Sequence, residues 1–319
     1  MAQLKLTEKG KAFLREWKSD SGFIIAHTSG STGKPKEIRL LKEDMRQSAN
    51  ATNRFFNIHP GSLLVSPLSS EYIAGKMMIV RAIEAGCSLI EEIPSNHPLK
   101  DKYGEISLLP VVPSQIPGLL KSGYIDDIQN IIVGGAPMTV AQEELISACK
   151  NTNIYATYGM TETCSHVALR KIGQHQYQAL PGISFDTDSR SCLKIIAPEF
   201  SFKELQTNDI VELADKEHFI WKGRFDNVII SGGIKIFPEE LEQRISDKIP
   251  FNFYFIGEPD EKWGEHLVMK IECASEDNRK IEAEIRETLS ASLSPYQQPK
   301  AIIFIKEFPR TSSGKILRR

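Results

Sequence analysis

The sequence contains no long apolar run. Nothing in its 319 residues approaches the roughly 18 consecutive apolar residues of a membrane-crossing helix, and Met1-Ala2-Gln3-Leu4-Lys5-Leu6-Thr7-Glu8-Lys9-Gly10 has no apolar leader core. Its five cysteines (Cys87, Cys149, Cys164, Cys192 and Cys273) are odd in number, scattered, and form no C-x-x-C pair. That pattern argues against a disulfide framework and leaves free thiols in a reducing, cytoplasmic setting as the expectation. There is no charge excess either: the formal net charge of −2 gives no electrostatic footing for nucleic acid or an anionic membrane. The G-x-x-x-x-G-K-[ST] phosphate loop is missing too. What remains is an ordinary globular composition, 41% hydrophobic and 25% charged, with length for about two domains.

One early stretch carries unusual chemistry. Thr28-Ser29-Gly30-Ser31-Thr32-Gly33-Lys34-Pro35-Lys36 lies between the apolar runs Phe23-Ile24-Ile25-Ala26 and Glu37-Ile38-Arg39-Leu40. Glycines let a backbone turn its N–H groups into a concave cradle, and hydroxyls with a lysine complete an anion site. Taken alone, the nonapeptide fits a flexible linker equally well.

After it, strands and helices alternate. Leu41 to Phe56 reads as a helix, Leu63-Leu64-Val65 as a strand, Ala74 to Ala85 as a helix and Ser88-Leu89-Ile90 as a strand. Residues 107 to 112, 128 to 133 and 154 to 157 are further strand-like runs, with a helix over 139 to 149. This is the signature of an α/β large domain with a mainly parallel sheet. From residue 181 the texture turns to short strands, including a hairpin of Ile210–Leu213 and His218–Trp221, which predicts a small β-rich subdomain. The remainder reads as a small α+β domain. The predicted division is residues 1–222 and 223–319, at Gly223-Arg224.

Three further stretches have chemistry of interest. Gly134-Gly135-Ala136-Pro137 at a strand end would let a ligand approach the backbone, although a plain turn explains it as well. Tyr158-Gly159-Met160-Thr161-Glu162 brings an aromatic, a glycine, a hydroxyl and a carboxylate to another strand end, types suited to nucleotide and Mg²⁺. Asp209 could accept from ribose hydroxyls or form an Asx turn.

Together with Gly223-Arg224-Phe225-Asp226, Ser231-Gly232-Gly233, Pro238-Glu239-Glu240 and the terminal Pro309-Arg310-Thr311-Ser312-Ser313-Gly314-Lys315, these stretches resemble, in order and spacing, the adenylate-forming superfamily of acyl- and aryl-CoA synthetases, luciferases and peptide-synthetase adenylation domains. The likeness runs from about residue 23 to the end. It implies ATP, Mg²⁺ and coenzyme A as cofactors and a small-molecule carboxylic acid as substrate, with no nucleic acid or membrane partner. It implies that Thr28 to Lys36 wraps the β,γ-phosphates, and that Gly134-Gly135-Ala136-Pro137 with Tyr158 lines the adenine and acyl pockets, with Gly159 among the cofactor-binding residues. Thr161 would contact the α-phosphate, Glu162 the metal, Asp209 and Arg224 the ribose. Asp226 would be the hinge and Lys315 the lysine that reaches in during adenylation.

A narrower likeness, carried by Gly159-Met160-Thr161-Glu162-Thr163-Cys164-Ser165 and Tyr72-Ile73-Ala74-Gly75-Lys76-Met77-Met78, is to the o-succinylbenzoate:CoA ligases of menaquinone biosynthesis. It implies that Tyr72, Lys76, Arg81 and His166 help hold an aromatic dicarboxylate. Lys76 and Arg81 also fit the solvated face of an amphipathic helix, and His166 a satisfied core histidine. Two readings compete with a CoA ligase: transfer to a carrier-protein thiol, and a nucleotide-binding relative without turnover. The sequence also departs from the family, because only Met1 to Ser21 precede the first strand where members usually carry a much longer segment, and Glu71-Tyr72 replaces an aromatic-histidine pair. The resemblance therefore implies a shortened large domain whose acyl pocket is closed by fewer elements or by a second copy of the chain.

Overall fold

A computed structural model describes residues 2–27, 37–274, 278–310 and 316–318. The chain opens with β1 (Leu4–Lys5) and α1 (Glu8–Trp17), which Thr7 caps by accepting from the Gly10 N–H. β2 (Phe23–His27) and β3 (Glu37–Leu41) pair antiparallel from Phe23↔Leu41 to His27↔Glu37. They are the arms of one hairpin joined by residues 28–36, so the phosphate-loop expectation falls outside the described residues.

Next come α2 (Lys42–Phe55), β4 (Leu63–Ser66), α3 (Ile73–Ala85) and β5 (Ser88–Glu91). β4 and β5 are parallel neighbours around α3, and the unforeseen β1 adds to β5, giving a three-stranded sheet in the order β1-β5-β4. A second parallel run follows: β6 (Leu109–Val111), α4 (Ile116–Lys121), β7 (Asn130–Val133), α5 (Val140–Ser147) and β8 (Asn153–Gly159).

The strands after residue 165 turn antiparallel: β9 (His166–Lys171), β10 (Tyr177–Ala179), β11 (Ser184–Thr187), β12 (Cys192–Ala197), β13 (Lys203–Leu213) and β14 (His218–Arg224). They are continuous with the parallel run, because β8 pairs with β9. The result is one nine-stranded sheet, β11-β12-β13-β14-β10-β9-β8-β7-β6. The predicted hairpin is present but its first strand starts at Lys203 rather than Ile210.

The C-terminal part contains β15 (Ile229–Ser231), β16 (Ile234–Ile236), α6 (Pro238–Ile245), β17 (Asn252–Asp260), β18 (Gly264–Glu272), α7 (Asn278–Ser292) and β19 (Ala301–Ile305). β15 to β19 form a five-stranded sheet with a core of its own, built around Leu241, Ile245, Phe255, Met269 and Leu289.

Helix α3 corrects one expectation. It is not an amphipathic surface helix: Gly75 to Ala82 are all buried, Lys76 and Arg81 among them. Apolar residues surround both cations in sequence, which is the pattern of a helix packed on every side. All five cysteines are free, and among the described residues no helix is long and apolar enough to cross a membrane.

Candidate active site

The site gathers where β8 and β14 end, beside the middle of β13. Tyr158 lies on β8 and Asp209 on β13, with β9, β10 and β14 between them in sheet order. Four strand spacings of ~4.8 Å would put these residues roughly 19 Å apart in a flat sheet. Yet the Tyr158 hydroxyl donates to Asp209 Oδ2 at 2.7 Å, so the sheet curls sharply here. The tyrosine ring is clamped edge-on against Phe219 at 5.1 Å and Tyr177 at 5.8 Å. Burial, with the Asp209 carboxylate beside it, pushes the phenol well above its ordinary pKa and keeps it a donor.

Asp209 is buried, with Trp221 Nε1 donating to Oδ1 at 3.3 Å and its own N–H bonded to Thr207 Oγ1 at 3.1 Å. It is therefore a strand residue and not an Asx turn, with a spare lone pair on each carboxylate oxygen. A bulge between Ile210 and Val211 sets it opposite Arg224. The Arg224 guanidinium stands 3.9 Å from Asp209 and 2.9 Å from Asp226, which also accepts from Asn208 Nδ2 at 3.3 Å. Thus the expected ribose and hinge residues form one chain of contacts, to which Trp221, Thr207 and Asn208 add partners that sequence reasoning missed.

Beyond Tyr158 the chain makes a tight corner. Gly159 meets His166 across the β8–β9 register shift, and a Cβ there would lie 2.4 Å from Ser165 O and 2.5 Å from His166 Cα. Both are backbone atoms with little room to give. Gly159→Ala is expected to cost about 1–3 kcal/mol, measured as a lower Tm. Thr161, Glu162 and Thr163 then form a single 3₁₀ turn. The Thr163 hydroxyl locks it, accepting from the Met160 N–H at 3.1 Å and donating to Ser165 O at 2.7 Å. Cys164 follows at φ +65°, a conformation a buried non-glycine residue holds only when its surroundings impose it.

Glu162 is exposed at the tip of this turn and has no hydrogen bond or ion pair among the described residues. No group of three or more potential metal-binding side chains exists among those residues. A lone free carboxylate suits Mg²⁺, which is held by one or two carboxylates together with phosphates and water. Gly134 to Pro137 lie beside β8, where a Cβ on Gly134 would be 2.4 Å from Thr157 Oγ1; Gly135 takes φ +84° and, like Ala136, is exposed.

The four expected acid-binding residues part into two groups. Arg81 and His166 come together: Arg81 Nη2 donates to Ser165 Oγ at 3.0 Å, Ser165 Oγ is 2.7 Å from Ser48 Oγ, and His166 Nε2 is 3.2 Å from Thr52 Oγ1. Arg81 is 2% exposed, its Nε has no partner, and no carboxylate pairs with it among the described residues. Burial lowers the guanidinium to about 9. The same burial, and Arg81, hold His166 well below 6.5.

Tyr72 and Lys76 lie apart from this pair. Tyr72 is an exposed N-cap, and Lys76 donates to Ile25 O on β2 at 3.2 Å with its ammonium 5.3 Å from the Phe13 ring centre. Lys76 thus serves the packing of α1, β2 and α3.

The neutral histidine gives a pH prediction. A folded pKa below the unfolded value means stability is present above about 6.5 and is lost as pH falls, because only the unfolded chain takes up the proton there. The slope is at most about 1.4 kcal/mol per pH unit, and His166→Gln is expected to flatten it in denaturant titrations between pH 5 and 7.

A family model described as AMP-binding enzyme matches residues 3–188, and a second, AMP-binding enzyme C-terminal domain, matches residues 252–315. A 2-succinylbenzoate–CoA ligase from Listeria monocytogenes serotype 4b (strain F2365) is 30% identical over 338 residues, covering 96% of this chain and 71% of the relative. A crystal structure from Dyadobacter fermentans DSM 18053, titled acyl-CoA synthetase (AMP-forming)/AMP-acid ligase II-like protein, is 36% identical with a TM-score of 0.65, covering 97% of this chain and 91% of that one. An o-succinylbenzoate CoA synthetase from Bacillus subtilis, in complex with the acyl-adenylate intermediate OSB-AMP, superposes with a TM-score of 0.79 at 20% identity, covering 92% of this chain and 67% of that one. With more than half of its residues matched by the first model, the chain belongs to the AMP-binding enzyme family and has its adenylate-forming fold.

Proposed function

We propose that the chain is an ATP-dependent, AMP-forming acid–thiol ligase that acts on 2-succinylbenzoate in the cytoplasm. One carboxylate oxygen of the acid attacks the α-phosphorus of ATP, the bond to the bridging oxygen breaks and pyrophosphate leaves. The thiolate sulfur of coenzyme A then attacks the acyl carbonyl and releases AMP. Residues 28–36 hold the β,γ-phosphates, Thr161 the α-phosphate, and Asp209 with Arg224 the ribose. Glu162 would hold Mg²⁺, which neutralises phosphate charge when bound. Residues 1–222 carry all of these groups except Arg224, and residues 223–319 turn about Asp226 to bring in or withdraw Lys315.

The observation that carries the choice of acid is Arg81: a buried guanidinium, without a carboxylate partner among the described residues, next to a hydroxyl and a neutral histidine. Such a cation suits the second carboxylate of a dicarboxylate. The relative from Listeria bears the same substrate in its name. The test is pyrophosphate release with 2-succinylbenzoate, benzoate and medium-chain fatty acids, with and without coenzyme A. Release driven best by 2-succinylbenzoate, and discharged by coenzyme A, is expected. No acid-dependent release across the screen would sink the proposal.

A further inference from the structure

Three charged side chains of the C-terminal part have no role in the chemistry above: Glu239 and Glu242 on α6, and Arg318 near the chain end. The two glutamates are three residues apart and share a helix face. Arg318 forks onto Glu242, Nη1 to Oε1 at 2.8 Å and Nη2 to Oε2 at 2.5 Å, and its Nη1 stands 3.7 Å from Glu239 Oε1. Glu242 Oε1 also accepts the Phe255 N–H on β17 at 2.8 Å. Burial raises the Glu242 carboxyl to about 7, and Arg318 works against that rise.

Glu239 faces the other way as well. Its Oε1 accepts from Asn227 Nδ2 at 2.5 Å, and Asn227 sits in the Phe225–Asn227 turn next to Asp226. Its Oε2 is buried without a partner among the described residues, at a point where a Cβ on Gly223 would come within 2.7 Å. One side-chain network therefore runs from the turn between the two sheets to the chain end. The chain on the other side of residues 311–315 is fixed too: Arg310 forks onto Glu272 of β18 at 2.6 and 2.5 Å, Arg310 bridges Ile316, and the Leu317 N–H donates to Pro309 O at 2.8 Å.

We propose that Arg318, held by Glu242 and Glu239, is a positioning residue that ties the segment bearing Lys315 to the Asn227 turn, so that the lysine moves with that turn and serves adenylation alone. The inference rests on the role given to Lys315 above. Its distinctive consequence is selectivity between half-reactions, since a loosened tether misplaces the lysine but leaves thiol transfer untouched. An error of about 1 Å in a reacting group costs up to roughly 100-fold in rate.

In the full chain, Arg318→Met is expected to lower kcat for acid-dependent pyrophosphate release roughly 10- to 100-fold, with KM for ATP and acid within about twofold. Transfer to coenzyme A from supplied acyl-adenylate keeps its rate, and Arg318→Lys recovers part of the loss. Lys315→Ala/Arg318→Met should be no slower than Lys315→Ala alone, because the arginine acts through the lysine. Equal loss in both half-reactions, or additive loss in the double variant, overturns the tether. So does Lys315→Ala slow beside Arg318→Met at the unsubstituted rate. Should Lys315→Ala itself be without effect, the role of Lys315 fails and the tether with it, while the substrate screen still stands.

Discussion

Lys315→Ala is expected to slow acid-dependent pyrophosphate release by about 10²- to 10³-fold while ATP still binds. Negative charge grows on the α-phosphate oxygens as the acid's carboxylate attacks, and a fixed ammonium there stabilises the transition state more than the ground state. In the proposed assignment binding is supplied elsewhere, by the 28–36 segment and by Asp209 and Arg224, so KM for ATP should change little. Transfer of the acyl group from supplied acyl-adenylate to coenzyme A should run at the unsubstituted rate, because the proposed mechanism assigns the lysine to the orientation that the thiol step leaves behind. The measurement is a pair of half-reaction rates on one preparation. An unchanged pyrophosphate rate would remove Lys315 from the chemistry, and equal loss in both steps would point to general damage.

The sequence disclosed the ingredients of this site more readily than their arrangement. Strand and helix alternation from Leu63 to Ile90 was legible because each run is short, apolar and bounded by turn residues, and β4, α3 and β5 lie there. Asp209 and Tyr158 were legible as residue types at strand ends. Their hydrogen bond was not, because it depends on the curl of a sheet that places three strands between them. Counting back from the turn at residues 214–217 puts Asp209 opposite Gly223; the bulge at Ile210 and Val211 moves it to Arg224 and so brings the guanidinium within 3.9 Å. The lower half of β13, Lys203 to Asp209, was hidden by its polar composition, since it is held by pairing with β12 rather than by an apolar pattern. The pairs at the chain end span 38 and 76 residues, Arg310 with Glu272 and Arg318 with Glu242, a separation no local pattern encodes. In α3 the signal was present and was outweighed: apolar residues flank Lys76 and Arg81 throughout, and that run marks burial more reliably than two cations mark solvent.

Arg81→Met, for its part, should raise KM for 2-succinylbenzoate roughly 30- to 1000-fold, the equivalent of about 2–4 kcal/mol for a buried, hydrogen-bonded charge pair that loses one partner. The kcat should fall far less, since the proposal puts Arg81 at the end of the acid remote from the reacting carboxylate. A monocarboxylic aromatic acid has no second charge to lose and should be used equally well by both proteins, or better by the variant. Stability offers an independent check with the opposite sign from an ordinary core substitution. Arg81 is a buried cation with an unpartnered Nε and no carboxylate among the described residues, so replacing it by an apolar side chain of similar length removes a desolvation cost. Tm should hold or rise. Arg81→Lys keeps the charge without the planar fork and should fall between the two in KM. Loss of activity on both acids alike, together with a lower Tm, would mean that Arg81 holds the β9 corner through Ser165 rather than a substrate carboxylate.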